Sequence, residues 1–142
     1  MKLTFKNDTF KILQIADTQE GRKVSPDTLA LISAALDREE PDLVVYSGDQ
    51  IWGRGFHGDV NQVRRVLKEL TAPVVERHLP FAICFGNHDR QVGISNADQF
   101  NDIYKSLPGC IGEQAEGIPG GGTYAVPLTA SDGSGRTVMN MY

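Results

Sequence analysis

Three short runs of mostly β-branched or apolar residues mark the first half of the chain, and a polar loop follows each of them directly. The runs are Phe10 to Ala16, Asp42 to Ser47 and Phe81 to Phe85. Runs of this length that are bounded by turn-forming residues are typical of buried strands. The sequence therefore predicts three strands whose ends lead straight into polar loops.

Apolar residues at helical spacing separate and follow these strands. The predicted helices run from Ser25-Pro26 to Pro41, from Val60 to His78 and from Asn96 to Leu107. Proline suits the first helical position, so Pro26 marks the start of the first helix. Pro73 is expected to bend or shorten the second helix, and Ser95 or Asn96 to cap the third. This alternation predicts an α/β fold with parallel strands, whose functional loops lie beyond the carboxyl ends of the strands.

The character of the sequence changes after the third predicted helix. Residues Gly109 to Gly122 are rich in glycine. Two later runs, Thr123 to Leu128 and Arg136 to Tyr142, flank the turn-forming stretch Ser131 to Gly135 and predict a β-hairpin. Because the last predicted strand runs to Tyr142, we expect the chain to stop inside a larger fold.

Composition and charge narrow the classes of function. The 142 residues carry a net charge of -4 and no basic block, which gives no sign of electrostatic capture of nucleic acid or of an anionic membrane. No apolar run approaches the roughly 20 residues of a membrane span, and Met1 to Phe10 lacks the features of a signal peptide, so we expect a cytoplasmic location. Cys84 and Cys110 lack zinc-type spacing, and Cys84 is expected to be a reduced, buried thiol because it lies within the apolar run Phe81 to Phe85.

Potential metal ligands follow all three predicted strands. They are Asp17 with Gln19 after the first strand, Asp49 after the second, and Asn87 with His88 and Asp89 after the third. Each of these residues, taken alone, is more often a helix cap, a turn residue or an ordinary loop histidine. Independent turns have no reason to place carboxylates, carboxamides and an imidazole at three successive strand ends. The set as a whole therefore predicts a metal site.

Hydrolysis of a phosphate ester makes use of such a set. Two metal ions about 3.5–4 Å apart can activate a water and stabilise charge on the phosphoryl oxygens. Asp49, in the central loop, is the natural carboxylate bridge between them, with Asp17 on one metal and the Asn87 side chain on the other. A nearby imidazole such as His88 could protonate the leaving alkoxide or bind the phosphoryl group.

The motifs at the strand ends resemble those of a known family. Asp17-Thr18-Gln19, Gly48-Asp49-Gln50 and Gly86-Asn87-His88-Asp89 are similar in order and spacing to the D-x-H, G-D-x and G-N-H-D/E motifs of the calcineurin-like metallophosphoesterases, and in particular to the branch of purple-acid-phosphatase-type phosphohydrolases. The resemblance implies a four-layer α/β/β/α sandwich, in which two sheets pack face to face with helices outside. It also implies a site for two ions of Fe, Mn or Zn and a small-molecule or nucleotide phosphate ester as substrate.

The matched positions imply a role for each motif residue. By resemblance, Asp17 binds the first metal, Asp49 bridges the two metals and Asn87 binds the second. His88 matches the catalytic histidine of the family, and Asp89 would orient it.

Two departures from the family pattern bear on function. Gln19 stands where the family has histidine, and a carboxamide oxygen is a harder and weaker ligand than an imidazole nitrogen. The family also completes its site with a lone His and a G-H-x-H motif downstream, whereas no histidine follows His88 in this chain. We therefore expect weak metal binding by these residues alone. The alternative to an enzyme is a non-catalytic binding scaffold that keeps the fold after loss of its site.

The same comparison of motifs predicts how the chain is organised. Residues 1–142 are expected to be the N-terminal part of a single phosphoesterase domain, with negligible phosphatase activity of their own. If these residues form only part of the second sheet, the C-terminal hairpin has an unpaired edge. Self-association through that hairpin is therefore expected.

The loop Ile51 to Gly58 directly follows the proposed bridging aspartate. It could line a substrate pocket in which Arg54, His57 or Arg90 contacts a phosphate, and it could equally be an ordinary solvent-exposed loop. His78 lies at the end of the second predicted helix and is expected to be a helix-terminal histidine rather than a ligand, because positive charge is favoured there.

Overall fold

The computed structural model describes residues 2–142. Its strands are β1 (Leu3–Thr4), β2 (Ile12–Ile15), β3 (Leu43–Ser47), β4 (Phe81–Cys84), β5 (Val126–Thr129) and β6 (Thr137–Met141). Two long helices, α1 (Pro26–Glu39) and α2 (Val60–Glu76), connect β2, β3 and β4. Shorter helical segments follow β4 at Asp89–Val92, Asn96–Asp98, Gln99–Ile103 and Tyr104–Ser106. The predicted alternation of strands and helices is confirmed.

The strands form two three-stranded sheets. In the first sheet β3 lies between β2 and β4 and pairs with both in parallel, as predicted, so the carboxyl ends of all three strands lie at one edge. In the second sheet β5 lies between β1 and β6, parallel to β1 and antiparallel to β6 in the predicted hairpin. The strand β1 is additional to the prediction, because two residues carry no periodic signal.

Alternate residues of β3 and β4 face opposite layers. Val44, Tyr46, Phe81 and Ile83 pack with the buried residues of α1 and α2 in the larger core. Leu43 and Ala82 pack instead with Leu3, Val126 and Leu128 of the second sheet. Residues 2–142 are thus arranged as a helix layer, the first sheet and the second sheet. The α/β class is confirmed, with three layers of the implied four-layer sandwich within the described residues.

The strand β2 lies in a different environment from the one predicted. The sequence predicts a buried strand, yet the residues of β2 alternate between exposed and half-buried, and Ile12 is 41% exposed. Within residues 2–142, β2 pairs with β3 on one side and with no strand on the other. Because an apolar run does not encode strand order, the sequence pattern does not distinguish an edge strand from a central one.

Both long helices begin as predicted, and α2 ends at Glu76, before the predicted end at His78. The first helix begins at Pro26, and the second is capped by Asp59, which accepts a hydrogen bond from the Gln62 amide at 3.1 Å. Pro73 is buried near the end of α2, which continues to Glu76, because only one backbone hydrogen bond is lost there and packing holds the last turn. No helix of residues 2–142 is both long and apolar enough to cross a membrane.

The segment predicted as a helix from Asn96 to Leu107 is helical from Asn96 to Ser106, but it is irregular. The segment changes from a short α-helix to a π-helix at Gln99–Ile103 and then to a 3-10 turn. Its start is as predicted, since the Ser95 hydroxyl accepts a hydrogen bond from the Asp98 amide at 3.1 Å. In the π-helix, the side-chain amide of the buried Gln99 donates a hydrogen bond to the Asp89 carbonyl at 2.9 Å. This bond connects the segment to the loop after β4.

The outer edge of β4 is closed by loop backbone and by one hydroxyl group. The Phe81 amide donates to the Gly109 carbonyl at 2.8 Å, and the Ile111 amide donates to the Phe81 carbonyl at 3.0 Å. Two residues further along, the Tyr124 hydroxyl donates to the Ile83 carbonyl and accepts from the Ile83 amide, both at 2.7 Å. The hydroxyl therefore satisfies the backbone groups that a neighbouring strand would otherwise satisfy.

The predicted burial of Cys84 is wrong. Cys84 is the last residue of β4, and its side chain is exposed, whereas the three residues before it are buried.

The strand β6 lies at the surface. Val138 and Met139 are 44% and 47% exposed, and within residues 2–142 β6 pairs with β5 alone. An exposed strand edge is a general site for pairing with another chain. Self-association through this hairpin stays a prediction.

Tyr124→Phe is expected to destabilise the fold. The substitution keeps the ring, which stacks on Phe100 with 5.7 Å between centroids, but it leaves the amide and carbonyl of buried Ile83 without their partner. We expect the free energy of unfolding in urea to fall by about 1–3 kcal/mol. Tyr142→Phe is the matched control, since Tyr142 is 95% exposed. Equal stability of the two variants would show that the Tyr124 hydroxyl does not support β4.

Candidate functional site

The loops that follow β2 and β3 run side by side. The Asp17 amide donates to the Gly48 carbonyl at 3.1 Å, and the Gln19 amide donates to the Asp49 carbonyl at 2.9 Å. These backbone bonds extend the pairing of β2 and β3 beyond the ends of the strands. Asp17, Gln19 and Asp49 are therefore neighbours at one edge of the first sheet.

All three of these residues have a left-handed backbone. The φ angles are 54° for Asp17, 47° for Gln19 and 52° for Asp49. Aspartate tolerates this region better than most residues, and glutamine has no such advantage. Each such residue costs on the order of 1 kcal/mol, which the surrounding hydrogen bonds must offset. The loop geometry is thus imposed by tertiary contacts rather than by local preference.

Asp89 joins the loop after β4 to the loop after β3. Its Oδ2 accepts hydrogen bonds from the amides of Gly86 and Asp49 at 2.7 and 2.8 Å, and its Oδ1 accepts one from the Ile51 amide at 3.2 Å. Asp89 is 1% exposed. Burial raises the pKa of Asp89, and the three amide hydrogen bonds counteract part of that rise. Since both oxygens serve backbone amides, the expectation that Asp89 orients His88 does not describe this arrangement.

The carboxylate of Asp49 is held from the other side by the loop after β4. Its Oδ1 accepts a hydrogen bond from the His88 amide at 2.7 Å, and Asp49 is 7% exposed. Gly86 lies so close that a Cβ atom there would collide with this carboxylate and would lie 2.6 Å from the Asp49 nitrogen. Asp49 therefore depends on a glycine at position 86 for its place in the site.

The imidazole of His88 contacts two side chains that the sequence analysis did not connect with it. Its Nδ1 lies 3.0 Å from Oε1 of Gln91, and its ring lies against Trp52 with 4.3 Å between centroids and 30° between the ring planes. The Arg54 guanidinium carbon lies 5.6 Å from the centroid of the Trp52 ring. Gln91 follows His88 by three residues in a 3-10 helix, and that spacing was the only available signal for this contact.

The other predicted site residues lie at the surface. Asp17, Gln19 and Asn87 are exposed, which leaves their side chains accessible to a ligand. Arg54, His57 and Arg90 are exposed as well, and their contact with a phosphate stays a prediction.

The donor set suits a metal only in part. Asp17, Gln19, Asp49 and Asn87 offer carboxylate and amide oxygens, which suit hard cations. One of the two carboxylate oxygens of Asp49 is engaged by the His88 amide. Among residues 2–142 no group of three or more His, Cys, Asp or Glu side chains is placed to hold a metal ion. The four residues therefore fit part of a metal site, and the nitrogen ligands of a mixed set would have to come from elsewhere.

Comparison with known families identifies this arrangement of loops. The model of the calcineurin-like phosphoesterase domain matches residues 10–135, which include all three strand-end loops. The chain belongs to the calcineurin-like phosphoesterase family. The family resemblance expected from the three motifs is thus confirmed.

Several curated relatives share this calcineurin-like phosphoesterase region. Phosphatase DCR2 of Saccharomyces cerevisiae is 33% identical over 70% of this chain and 19% of its own length. "Probable inactive purple acid phosphatase 29" of Arabidopsis thaliana is 28% identical over 99% of this chain and 41% of its own length. Phosphodiesterase YaeI of Escherichia coli is 33% identical over 74% of this chain and 38% of its own length. The chain thus spans less than half the length of each of these relatives. No solved structure matches it.

Gly86→Ala is expected to displace the Asp49 loop. The added methyl group meets the Asp49 carboxylate and backbone, neither of which can move without breaking hydrogen bonds to Asp89 or His88. We expect a loss of about 1–3 kcal/mol in the free energy of unfolding, measured in urea.

Gly21→Ala is the matched control for this variant. No heavy atom lies within 4 Å of a Cβ atom at position 21. A Gly86→Ala variant as stable as Gly21→Ala, with unchanged amide chemical shifts at Asp49 and His88, would contradict the close fit.

Proposed function

We propose that this chain supplies the first three loops of a metal-dependent phosphohydrolase site that cleaves phosphate mono- or diesters. The observation that carries the proposal is the junction of the three loops, in which Asp49 is hydrogen-bonded to the loop after β2 and to the loop after β4. In this proposal Asp17 and Gln19 would hold a first metal and Asn87 a second, and Asp49 would be a ligand shared by both. Membership of the calcineurin-like phosphoesterase family supports it.

The metals of this site would be two ions of Fe, Mn or Zn, which supply an activated water and stabilise charge on the phosphoryl oxygens. The chain itself would orient the reacting groups. Asp49 fixes the backbone of His88 through the bond between Oδ1 and the His88 amide. His88 would then give a proton to the leaving alkoxide or bind a phosphoryl oxygen.

The substrate of the proposed site is a small-molecule or nucleotide phosphate ester. Arg54, His57 and Arg90 are exposed cationic or titratable groups in or next to the loops that carry Asp49 and His88, so they are the proposed phosphate contacts. Relatives named as a phosphatase and as a phosphodiesterase support the ester class and leave both mono- and diesters in the proposal. A cytoplasmic location, expected from the sequence, stays a prediction.

A specific observation favours a second function, that of a non-catalytic binding scaffold. Gln19 replaces the imidazole of the family's first motif with a weaker ligand, and two relatives carry the printed name "probable inactive" purple acid phosphatase. A scaffold would use the same exposed loops to bind a phosphorylated or anionic ligand without turnover.

Asp49→Asn is expected to abolish hydrolysis by the whole gene product. The substitution keeps the size of the side chain but removes the charge of the proposed bridge. We expect Mn²⁺ affinity, measured by calorimetry, to fall at least about tenfold. Hydrolysis of nitrophenyl phosphate mono- and diesters should be lost with it.

The control for this variant is Asp8→Asn, which changes an exposed aspartate of the β1–β2 turn. Undiminished metal affinity and turnover in the Asp49→Asn protein would refute the two-metal proposal. For residues 1–142 alone, we expect weak metal binding and negligible turnover.

Gln19→His is expected to tighten metal binding, because it restores an imidazole nitrogen beside Asp17 and Asp49. The measurement is a titration of the whole gene product with Mn²⁺ and Zn²⁺, alongside its rate of aryl phosphate hydrolysis. If the natural protein shows no turnover and the Gln19→His variant gains both tighter metal binding and turnover, the result would favour a scaffold function for the natural protein. Unchanged affinity would count against Gln19 as a ligand position.

A further inference from the structure

The β2 edge, which comprises residues 11–17, is the open side of the first sheet. The Lys11 carbonyl accepts a hydrogen bond from the first residue of β3, and the Asp17 amide donates one to the loop after β3. Because successive residues of a strand turn their backbone groups to opposite sides, those of Ile12, Gln14 and Ala16 face away from β3. Within residues 2–142 no strand pairs with them. Such groups are the ones with which a strand of another chain pairs.

An apolar groove of about 410 Å³ lies beside the β2 edge, on the side of α1. Leu13 and Ile15 of β2 and Leu31 of α1 are among the residues that line it. Leu31 is 71% exposed, and Ile12, on the opposite face of β2, is 41% exposed. The edge therefore combines unpaired backbone groups with accessible apolar side chains, as surfaces that are covered in an assembly do.

The side chains of the β2 edge identify the occupant, because the edge is complementary to its own sequence read in reverse. When a second copy lies antiparallel with Gln14 opposite Gln14, Lys11 of each copy lies opposite Asp17 of the other. Cross-strand pairs of opposite charge and of apolar side chains stabilise a sheet, whereas like charges directly opposite each other destabilise it. The intervening apolar residues also find apolar partners, since Leu13 lies opposite Ile15, and Ile12 lies opposite Ala16.

Neighbouring registers lose this match. Pairing centred on Leu13 places Lys11 opposite Ile15, and pairing centred on Ile15 places Leu13 opposite Asp17. Each of them sets an apolar side chain against a charge. The register centred on Gln14 also suits the backbone, because Gln14 turns its amide and carbonyl to the open side and can exchange both bonds with its counterpart. Charge, apolar pattern and backbone direction thus select one register.

We propose that two copies of this chain form a two-fold symmetric dimer through the β2 edge, which joins their first sheets into one. Gln14 with its counterpart, and Ile12 with Ala16 on both sides of the axis, exchange about six backbone hydrogen bonds between the copies. The two-fold axis places both α1 helices on the same face of the joined sheet, so Leu31 of each copy lines a shared groove. The same surface of each copy is buried, and the β2 edge is paired in both.

The two charged residues keep the groups that this pairing needs. The Lys11 ammonium donates to the Glu39 carbonyl at 2.9 Å, and two of its three hydrogens remain. Asp17 is exposed, and one of its carboxylate oxygens can accept the ammonium while the other stays available to the proposed metal. The dimer therefore neither depends on the proposed function nor excludes it.

The first test measures the mass of the 142-residue chain by sedimentation velocity at about 100 μM, where association of micromolar affinity is visible. We expect twice the chain mass of 15.5 kDa. Lys11→Glu sets like charges opposite each other at both ends of the interface, and we expect the dissociation constant to rise at least about tenfold. Lys68→Glu makes the same charge change on the exposed side of α2 and should leave the dimer intact.

A mixture of two variants tests the register. Asp17→Lys, like Lys11→Glu, sets like charges opposite each other in its own dimer. In a mixed dimer of the two variants, however, opposite charges meet at both ends. We therefore expect each variant alone to dissociate and an equimolar mixture to form dimers that contain both chains, identified by native mass spectrometry. The amide spectrum verifies that each variant is folded, and Lys11→Glu changes an exposed residue, so its result stands by itself.

A wild-type chain that is monomeric at this concentration would overturn the inference and leave the β2 edge to another occupant. So would a Lys11→Glu dimer as tight as the wild type, or folded variants that form no mixed dimer. Val138→Lys, on the exposed strand β6, should leave the dimer intact. A dimer lost in Val138→Lys but kept in Lys11→Glu would place the contact at the C-terminal hairpin and refute the proposal. These measurements use neither metal nor substrate, so a chain that hydrolyses no phosphate ester would refute the proposed function and not the dimer.

Discussion

The site depends on one buried carboxylate. Asp89 gathers the amides of Gly86, Asp49 and Ile51, and it thereby fixes the loop after β4 against the loop after β3. The Asp49 carboxylate in turn accepts a hydrogen bond from the His88 amide, and the Asp49 carbonyl accepts one from the Gln19 amide. Gln19 and Asp49 are thus placed by backbone hydrogen bonds that lead back to Asp89. Asn87 lies between Gly86 and His88, whose amides are held by Asp89 and Asp49.

Several features of these loops cost free energy by themselves and depend on the surrounding contacts. The buried Asp89 carboxylate loses hydration, and its three amide hydrogen bonds offset that loss in part. Removal of any of these bonds would leave a buried polar group unsatisfied. Asp17, Gln19 and Asp49 add left-handed backbone that local preference disfavours. Such features persist where surrounding contacts over-determine the geometry, as the close approach of Gly86 to Asp49 does here.

The sequence predicted the parts of the site that follow from periodicity and missed those that follow from packing. Apolar runs located β2, β3 and β4, and parallel pairing then placed Asp17, Asp49 and Asn87 at one edge. The exposure of β2 depends on strand order, which an apolar run does not encode. The contacts of His88 with Gln91 and Trp52 depend on side-chain rotation and on a loop that folds back over a helix, and neither leaves a periodic pattern.

The restrained imidazole bears on the choice between an enzyme and a scaffold. A binding scaffold needs the loop backbone in place, and Asp89 and Gly86 already provide that. It has no evident need for a fixed imidazole, because either ring nitrogen of His88 can bind an anion when protonated. Proton transfer does need the ring in place, since the donor must lie within hydrogen-bond reach of the leaving group. The contacts of His88 with Gln91 and Trp52 therefore support the proposed proton transfer. The weak ligand Gln19 bears on metal affinity rather than on the position of this ring.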